Sequence, residues 1–151
     1  MRDAIHQLKY RNLRTVAAPL GQLLKNYMVI HPIPGEVLVP VPLHPKRLKE
    51  RGYNQSALLA HELSKLTDLP IIEDCLVRQQ PTPPQAKTAS VEERRNNVSE
   101  AFTCVSDGLR DRQVIIIDDV STSGATLNAC AQALKAAGVA SVWGLVMARE
   151  I

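Results

Sequence analysis

The stretch VIIIDDVSTSGAT, from Val114 to Thr126, joins a strand pattern, a pair of acids and a turn of small residues. Its four branched apolar residues lack polar alternation and predict a strand buried on both faces of a parallel sheet. Asp118 and Asp119 follow directly. Because ligands of open parallel sheets bind beyond the carboxyl ends of strands, the stretch predicts a binding site where this strand meets the next helix.

The small-residue turn has the features of a phosphate site. It offers consecutive backbone N–H groups, several hydroxyls and a glycine that lets a ligand approach the backbone, with a helix dipole behind it. The candidate phosphate-binding residues are Ser121, Thr122, Ser123, Gly124, Ala125 and Thr126.

The two carboxylates would repel a phosphate unless they bind something else, and the neutral hydroxyls of a sugar meet that need. We therefore expect Asp118 and Asp119 to bind a ribose diol while the turn binds the 5′-phosphate of the same sugar. Neighbouring strand residues point to opposite faces, so we also expect the chain to leave the strand at the acids.

Two alternatives to a sugar-phosphate site stay open. The first is a tight turn with two solvated acids, and the second is a site where the aspartates bind only a metal. Two other phosphate sites are excluded by their motifs. The chain has no Gly-Lys-Ser/Thr at this turn, as a Walker-type ATP site requires, and no G-x-G-x-x-G, as a dinucleotide site requires.

The rest of the chain predicts an α/β protein with one domain over residues 1–151. Pro19 is expected to split or kink an amphipathic helix that starts near Ile5, and Asn54 to cap a second helix. Residues 79–100 are polar and proline-rich, which is typical of a mobile functional loop. Further strands are predicted at 36–42, 71–78, 101–105 and 141–148, the last with Trp143 in the core.

Composition limits the class of protein. A net charge of +3 does not by itself indicate nucleic acid, although basic residues cluster at 46–51 and 94–95. Three scattered cysteines without a C-x-x-C pair predict neither a disulfide framework nor a cysteine zinc site. No apolar run approaches the roughly 20 residues of a membrane helix, and the first residues lack a signal-peptide core. We expect a cytoplasmic protein with no membrane partner.

The quoted stretch resembles the phosphoribosyl-diphosphate (PRPP) signature of type I phosphoribosyltransferases, although Ser121 stands where many members carry an apolar residue. LVPVPLHPKRLKERGYNQSALLAHEL and RQQPTPPQAKTASVEERRNNVSEAF narrow the resemblance to the ComF-type branch, a group linked to DNA uptake. Many members of this branch carry an N-terminal cysteine-rich zinc module, and this sequence, which starts directly at MRDAIHQLKY, looks like either a short natural form or a core without that module. The resemblance implies a parallel sheet flanked by helices, a small N-terminal helical hood over the first ~30 residues, and a homodimer.

The resemblance also implies roles for individual residues. Asp118 and Asp119 would bind the ribose hydroxyls, and residues 121–126 the 5′-phosphate. The loop after the first strand would hold the pyrophosphate, with Mg²⁺ bound through that pyrophosphate and not by a protein metal site. Residues 79–100 would close over the site. Candidates for the pyrophosphate are His44, Arg47, Arg51, Arg78, Arg94 and Arg95.

Two functions remain open on the sequence. The first is a phosphoribosyltransferase, a glycosyltransferase of nucleotide metabolism that moves phosphoribose to or from an unidentified nitrogenous acceptor. The second is a non-catalytic PRPP sensor, or a competence factor that works with single-stranded DNA or a DNA-uptake helicase. The intact acid pair favours a ligand, whereas the basic clusters favour nucleic acid.

Overall fold

The helices and strands follow from a computed structural model that describes residues 14–78 and 102–150. Predictions for residues 5–13 and 79–100, including Arg94 and Arg95, lie outside this part of the chain. A 3₁₀ turn at Arg14–Val16 precedes the helices α1 (Ala17–Ile30), α2 (Pro45–Arg51), α3 (Gln55–Thr67) and α4 (Ala125–Ala136). The strands are β1 (Val37–Pro40), β2 (Leu76–Arg78), β3 (Phe102–Cys104), β4 (Gln113–Ser121) and β5 (Ser141–Arg149).

A parallel sheet with the order β1-β4-β5 forms the centre of the fold. Val37 pairs with Val114 at one end of β1, and Pro40 pairs with Ile117 at the other. Parallel neighbours need long crossover connections, and here helices supply them. The predicted α/β class, a parallel sheet flanked by helices, is therefore confirmed.

The central strand β4 is buried on both faces, as its unbroken apolar run predicts. Val114 and Ile116 pack with α4 and with β2 and β3 on one face. Ile115 and Ile117 pack with α1 and α3 on the other face. This alternation fixes which helix layer each later residue of β4 can reach.

The predicted strand at residues 71–78 is wrong as one element. Ile71 makes a single parallel bridge to Leu38, and β2 instead pairs antiparallel with β3. Leu38 uses both its N–H and its C=O toward this side of β1, at Pro70 and Ile72. The next residue of β1 that faces this side is Pro40, which has no N–H to continue the ladder.

Pro19 does not interrupt the helix in which it lies, while residues 5–13 of the predicted amphipathic stretch are outside the described part of the chain. Pro19 lies in the first turn of α1, where a missing N–H leaves no helical hydrogen bond unmade, so the helix runs from Ala17 to Ile30. Ala17, Leu20 and Leu24 are buried against α3 and the sheet. The described part of the expected hood is thus a helix of the layer that covers the sheet.

Trp143 does not pack in the core, contrary to its prediction. Trp143 is 44% exposed and lies on β5, which is an edge strand of the sheet within the described residues. Among the helices that the structure describes, none is both long and apolar enough to cross a bilayer.

Gly35 provides a test of how tightly the sheet packs. A Cβ at Gly35 would lie 2.2 Å from Cγ1 of Ile115, whose side chain is fully buried. We expect Gly35→Ala to lower the free energy of unfolding by about 1–3 kcal/mol, as overpacking does. Gly108→Ala is the matched control, since its Cβ would meet only Ser106 Oγ at 3.5 Å. Urea unfolding measures both, and equal stabilities for the two variants would contradict the packing argument.

Candidate functional site

The turn between β4 and α4 has the shape of an anion site. Gly124 stands at the helix N-cap with a left-handed φ of 80°, and a Cβ there would meet nothing within 4 Å. No side chain caps the helix as an N-cap, although Ser123 Oγ accepts a hydrogen bond from Ala125 N at 3.3 Å. The first turn of α4 therefore presents backbone donors and the positive end of its dipole toward an approaching ligand.

A cavity of about 40 Å³ lies against this turn. A water molecule needs about 10–15 Å³ of such space, so the cavity can hold a group larger than one water molecule. Its lining residues are Asp118, Val120, Ser121, Thr122, Ser123, Gly124, Ala125, Thr126 and Leu127. The structure thus brings one predicted sugar-binding acid together with all six predicted phosphate-binding residues.

The chain does not leave the strand at the acids, which corrects that expectation. β4 continues to pair with β5 through Asp118, Val120 and Ser121. Its pairing with β1 stops earlier, after Val41 N donates to Ile117 O. The acids therefore stand where β4 has a neighbour on one side only.

Two side chains replace the next hydrogen bond between β1 and β4. In a regular parallel ladder the N–H of Asp119 would donate to Val41 O. Here Val41 O accepts a hydrogen bond from Asn54 Nδ2 at 3.0 Å, and Asp119 N donates to Asp118 Oδ1 at 2.8 Å. The carboxylate of Asp118 is thereby held at the edge of the cavity.

Both carboxyl groups are buried, with exposed fractions of 8% for Asp118 and 3% for Asp119. Burial, followed by the charge of Asp119 and a hydrogen bond between the two carboxyl groups, raises the pKa of Asp118 to about 7. The two groups interact in this way although β4 keeps its strand pairing. Asp119 Oδ1 also accepts from Val120 N at 2.7 Å.

Ser56 is a buried contributor that the sequence did not reveal. Its hydroxyl donates to Asp118 Oδ1 at 3.0 Å from the first turn of α3. Asn54 was predicted as the cap of this helix, and its Oδ1 accepts from Ser56 N and Ala57 N. The cap was the signal available, because it places the start of α3 near the end of β1, but no motif connects residues 56 and 118.

His44 lies in the loop that follows β1. Its Nδ1 accepts a hydrogen bond from Lys46 N at 3.1 Å, so a neutral ring carries its proton on Nε2. His44 Nε2 is buried and makes no hydrogen bond among the described residues. The predicted pyrophosphate loop therefore contains a buried N–H that lacks an acceptor among the described residues.

The arginine candidates occupy different places. Arg47 is exposed on α2, and Arg51, at the end of α2, donates through Nη1 to Gln55 Oε1 at 2.6 Å. Arg78 lies in β2 with its guanidinium 5.4 Å from the Phe102 ring centroid. Burial raises the pKa of Cys130 to about 12, with smaller effects from the charge of Asp118, which raises it, and that of Arg78, which lowers it.

Residues 54–149 match the family described as the phosphoribosyl transferase domain. The chain belongs to this family. It is 34% identical over 153 residues to competence protein F of Haemophilus influenzae, covering 95% of this chain and 66% of that protein. It is 33% identical over 145 residues to the DNA utilization protein YhgH of Escherichia coli O157:H7, covering 91% and 62% respectively. The ComF-type resemblance is thereby confirmed.

A solved structure supports the fold alone. The glutamine PRPP amidotransferase from Bacillus subtilis, complexed with ADP and GMP, superposes with a TM-score of 0.57 at 18% identity, over 87% of this chain and 26% of that chain. The chain spans less than two thirds of the length of the two curated relatives. Their whole-protein activities therefore concern this chain only as proposals.

The buried acid predicts a stability change with pH. An unfolded chain ionises Asp118 near 3.8, whereas the folded chain keeps its proton up to a pKa of about 7. The folded state binds more protons in this window, so the contribution of Asp118 to stability falls as pH rises through it. Asp118→Asn removes this titration. We expect the melting temperature of the variant minus that of the wild type to increase by about 4–8 °C between pH 5 and pH 8.

Asp107→Asn is the matched control, since Asp107 is exposed and its substitution removes the same charge. Its difference from the wild type should stay nearly constant over that pH range. Thermal unfolding of the ligand-free proteins measures all three, and a gap for Asp118→Asn that shrinks with pH would contradict the burial argument.

Proposed function

We propose that this chain binds PRPP and transfers its phosphoribosyl group to a nitrogenous acceptor. The observation that carries the proposal is the single cavity wall made by the Asp118 carboxylate and the turn from Ser121 to Thr126. Neutral backbone donors suit a phosphate, and a carboxylate suits hydroxyl groups that donate to it. A ribose 5′-phosphate presents both groups on one small molecule.

The chemistry places different demands on the two ends of the ligand. When pyrophosphate leaves C1 with the bonding electrons, the sugar becomes an oxocarbenium-like centre, and the acceptor nitrogen then forms the new bond. Asp118 and Asp119 supply negative charge on the sugar side, and His44 Nε2–H with Arg47 or Arg51 supplies donors for the leaving group. Positioned charges of this kind can provide much of a transfer barrier.

Magnesium fits this site as an ion held mostly by the ligand. Mg²⁺ prefers oxygen ligands and often uses one or two carboxylates together with substrate phosphates. No group of three or more His, Cys, Asp or Glu capable of holding a metal occurs among residues 14–78 and 102–150. The oxygens of a bound pyrophosphate would hold the ion, which leaves the acid pair for the ribose hydroxyls. When bound, the ion would neutralise charge on the leaving pyrophosphate.

A charge placed in the cavity wall tests the binding proposal. Ala125→Glu adds a negative side chain to the first turn of α4, which a helix N-terminus tolerates but a phosphate does not. We expect PRPP with Mg²⁺ at about 100 times its Kd to raise the wild-type melting temperature by about 5–10 °C, and this variant to lose most of the rise. Differential scanning fluorimetry makes the measurement.

Gln132→Glu is the matched control, because it adds the same charge to an exposed position of α4 that does not line the cavity. It should keep nearly the whole rise. No shift for the wild type at saturating PRPP would refute binding, and equal losses in the two variants would refute the cavity as its place.

Catalysis needs a separate measurement, because a pocket that binds PRPP can also serve as a sensor. We expect pyrophosphate release from PRPP to depend on an added acceptor in a panel of nitrogenous bases and amines, and to fall by about 10²-fold or more in Asp118→Asn. Binding without release for any acceptor would favour the sensing function.

The cysteines are free thiols in the described residues, which supports the proposed location in a reducing cytoplasm.

A DNA-related role is a second candidate, supported by the names of the two relatives and by α2. Lys46, Arg47 and Lys49 are all exposed on this helix. If they contact DNA phosphates, single-stranded DNA should bind with an affinity that falls steeply with salt, and replacing all three by Gln should flatten that slope. Lys65→Gln, on α3 and paired with Glu62, is the control. Negligible binding at low salt would remove this candidate.

A further inference from the structure

The buried polar side chains of the described residues are concentrated in one place. They are Gln55, Ser56, Asp118 and Asp119. All four lie near the start of α3, where β1 ends beside β4. Burying polar groups costs free energy unless they are hydrogen-bonded, so such a cluster indicates a function beyond packing. Ser56 is the most buried of the four, at 1% exposure.

The position of the Ser56 hydroxyl is fixed by its surroundings. α2 ends at Gly52 with a left-handed φ of 85°, which turns the chain toward α3. Asn54 then accepts from Ser56 N at 2.9 Å and donates to Val41 O at 3.0 Å. Because one side chain holds both the start of α3 and the end of β1, the hydroxyl keeps a constant relation to Asp118.

Ser56 does not line the cavity, so it is not placed to contact a ligand there. Its hydrogen bond and that of Asp119 N both fall on Oδ1 of Asp118. Two donors on Oδ1, together with the hydrogen bond between the two carboxyl groups, restrict rotation of the Asp118 carboxyl group. A carboxylate held in this way meets a ligand without first losing rotamer freedom.

We propose that Ser56 is a positioning residue, which orients the Asp118 carboxylate to receive a ribose hydroxyl. The proposal rests on the proposed function for its ligand, but the interaction with Asp118 exists in the free protein. A hydroxyl donor favours the ionised carboxylate, and Ser56 accordingly lowers the pKa of Asp118 against the larger effect of burial.

The first experiment needs no ligand. Ser56→Ala removes a donor that acts on the ionised form, so its loss of melting temperature relative to the wild type should be larger at pH 8 than at pH 5. In an Asp118→Asn background this pH dependence should disappear. Ser64→Ala is the matched control on α3, because its hydroxyl donates to Leu69 O at 2.6 Å, away from the acids.

The second experiment measures PRPP binding by calorimetry with Mg²⁺ present. Ser56→Ala should weaken binding about tenfold, as expected for a lost hydrogen bond to a charged group, with a larger loss at pH 6.5 than at pH 8.5. Ser64→Ala should change affinity by less than about twofold. Ser56→Cys, which keeps the shape and has only a weak donor, replaces the alanine variant if that variant does not fold.

The two experiments separate the two proposals. A wild type that does not bind PRPP would refute the proposed function, while the ligand-free pH dependence would still report on Ser56 and Asp118. Losses that are equal for Ser56→Ala and Ser64→Ala at both pH values would overturn the positioning role. A pH dependence that persists in the Asp118→Asn background would overturn it as well.

Discussion

The site depends on one missing hydrogen bond between two parallel strands. A regular ladder would join Asp119 N to Val41 O. Instead, Val41 O accepts a hydrogen bond from the Asn54 side chain, and Asp119 N donates one to the Asp118 side chain. Backbone polar groups must be paired when buried, so these two side chains are bound to their places by the backbone itself. The break in the ladder thus fixes an acid at the carboxyl end of the sheet and the start of a helix beside it.

This arrangement costs stability at neutral pH. A carboxyl group that stays protonated up to a pKa of about 7 is ionised in the folded protein only against the penalty of burial and of its acidic neighbour. Packing alone would favour an apolar residue at this position, since a buried charge is tolerated only with good partners. Ser56 and the backbone N–H of Asp119 provide those partners, and the two buried acids are not those of a solvated turn.

The central part of the fold was predictable because local chemistry determines it. The apolar run from Val114 to Ile117 predicted the doubly buried strand, and Asn54 predicted the cap of α3. The end of the pairing near residue 71 was not predictable. It depends on which side of β1 the Pro40 nitrogen faces, and that depends on the register of β1. Trp143 was misplaced for a similar reason: its sequence indicates a strand, but only the strand order shows that this strand is an edge.

The candidate site divides in the same way. The small residues after β4 indicated an anion site from sequence, because they have no large side chains that would cover the backbone donors. The contact between Ser56 and Asp118 could not be predicted, since it joins residues 62 apart through tertiary structure. The sequence therefore indicated the candidate phosphate-binding turn and the acid pair, and the structure showed which groups hold the Asp118 carboxyl group.

The two halves of the site contribute differently to recognition. Backbone donors at the start of α4 do not titrate near neutral pH and would accept many phosphate esters. Asp118 does titrate there, because burial raises its pKa to about 7, and in the proposed function its ionised form receives hydroxyl groups beside the phosphate. If the proposed function holds, selectivity for a sugar phosphate over free phosphate depends on Asp118, and it should increase with pH as this carboxyl group ionises. Because the same ionisation weakens the folded protein, recognition of the sugar and stability oppose each other at this one position.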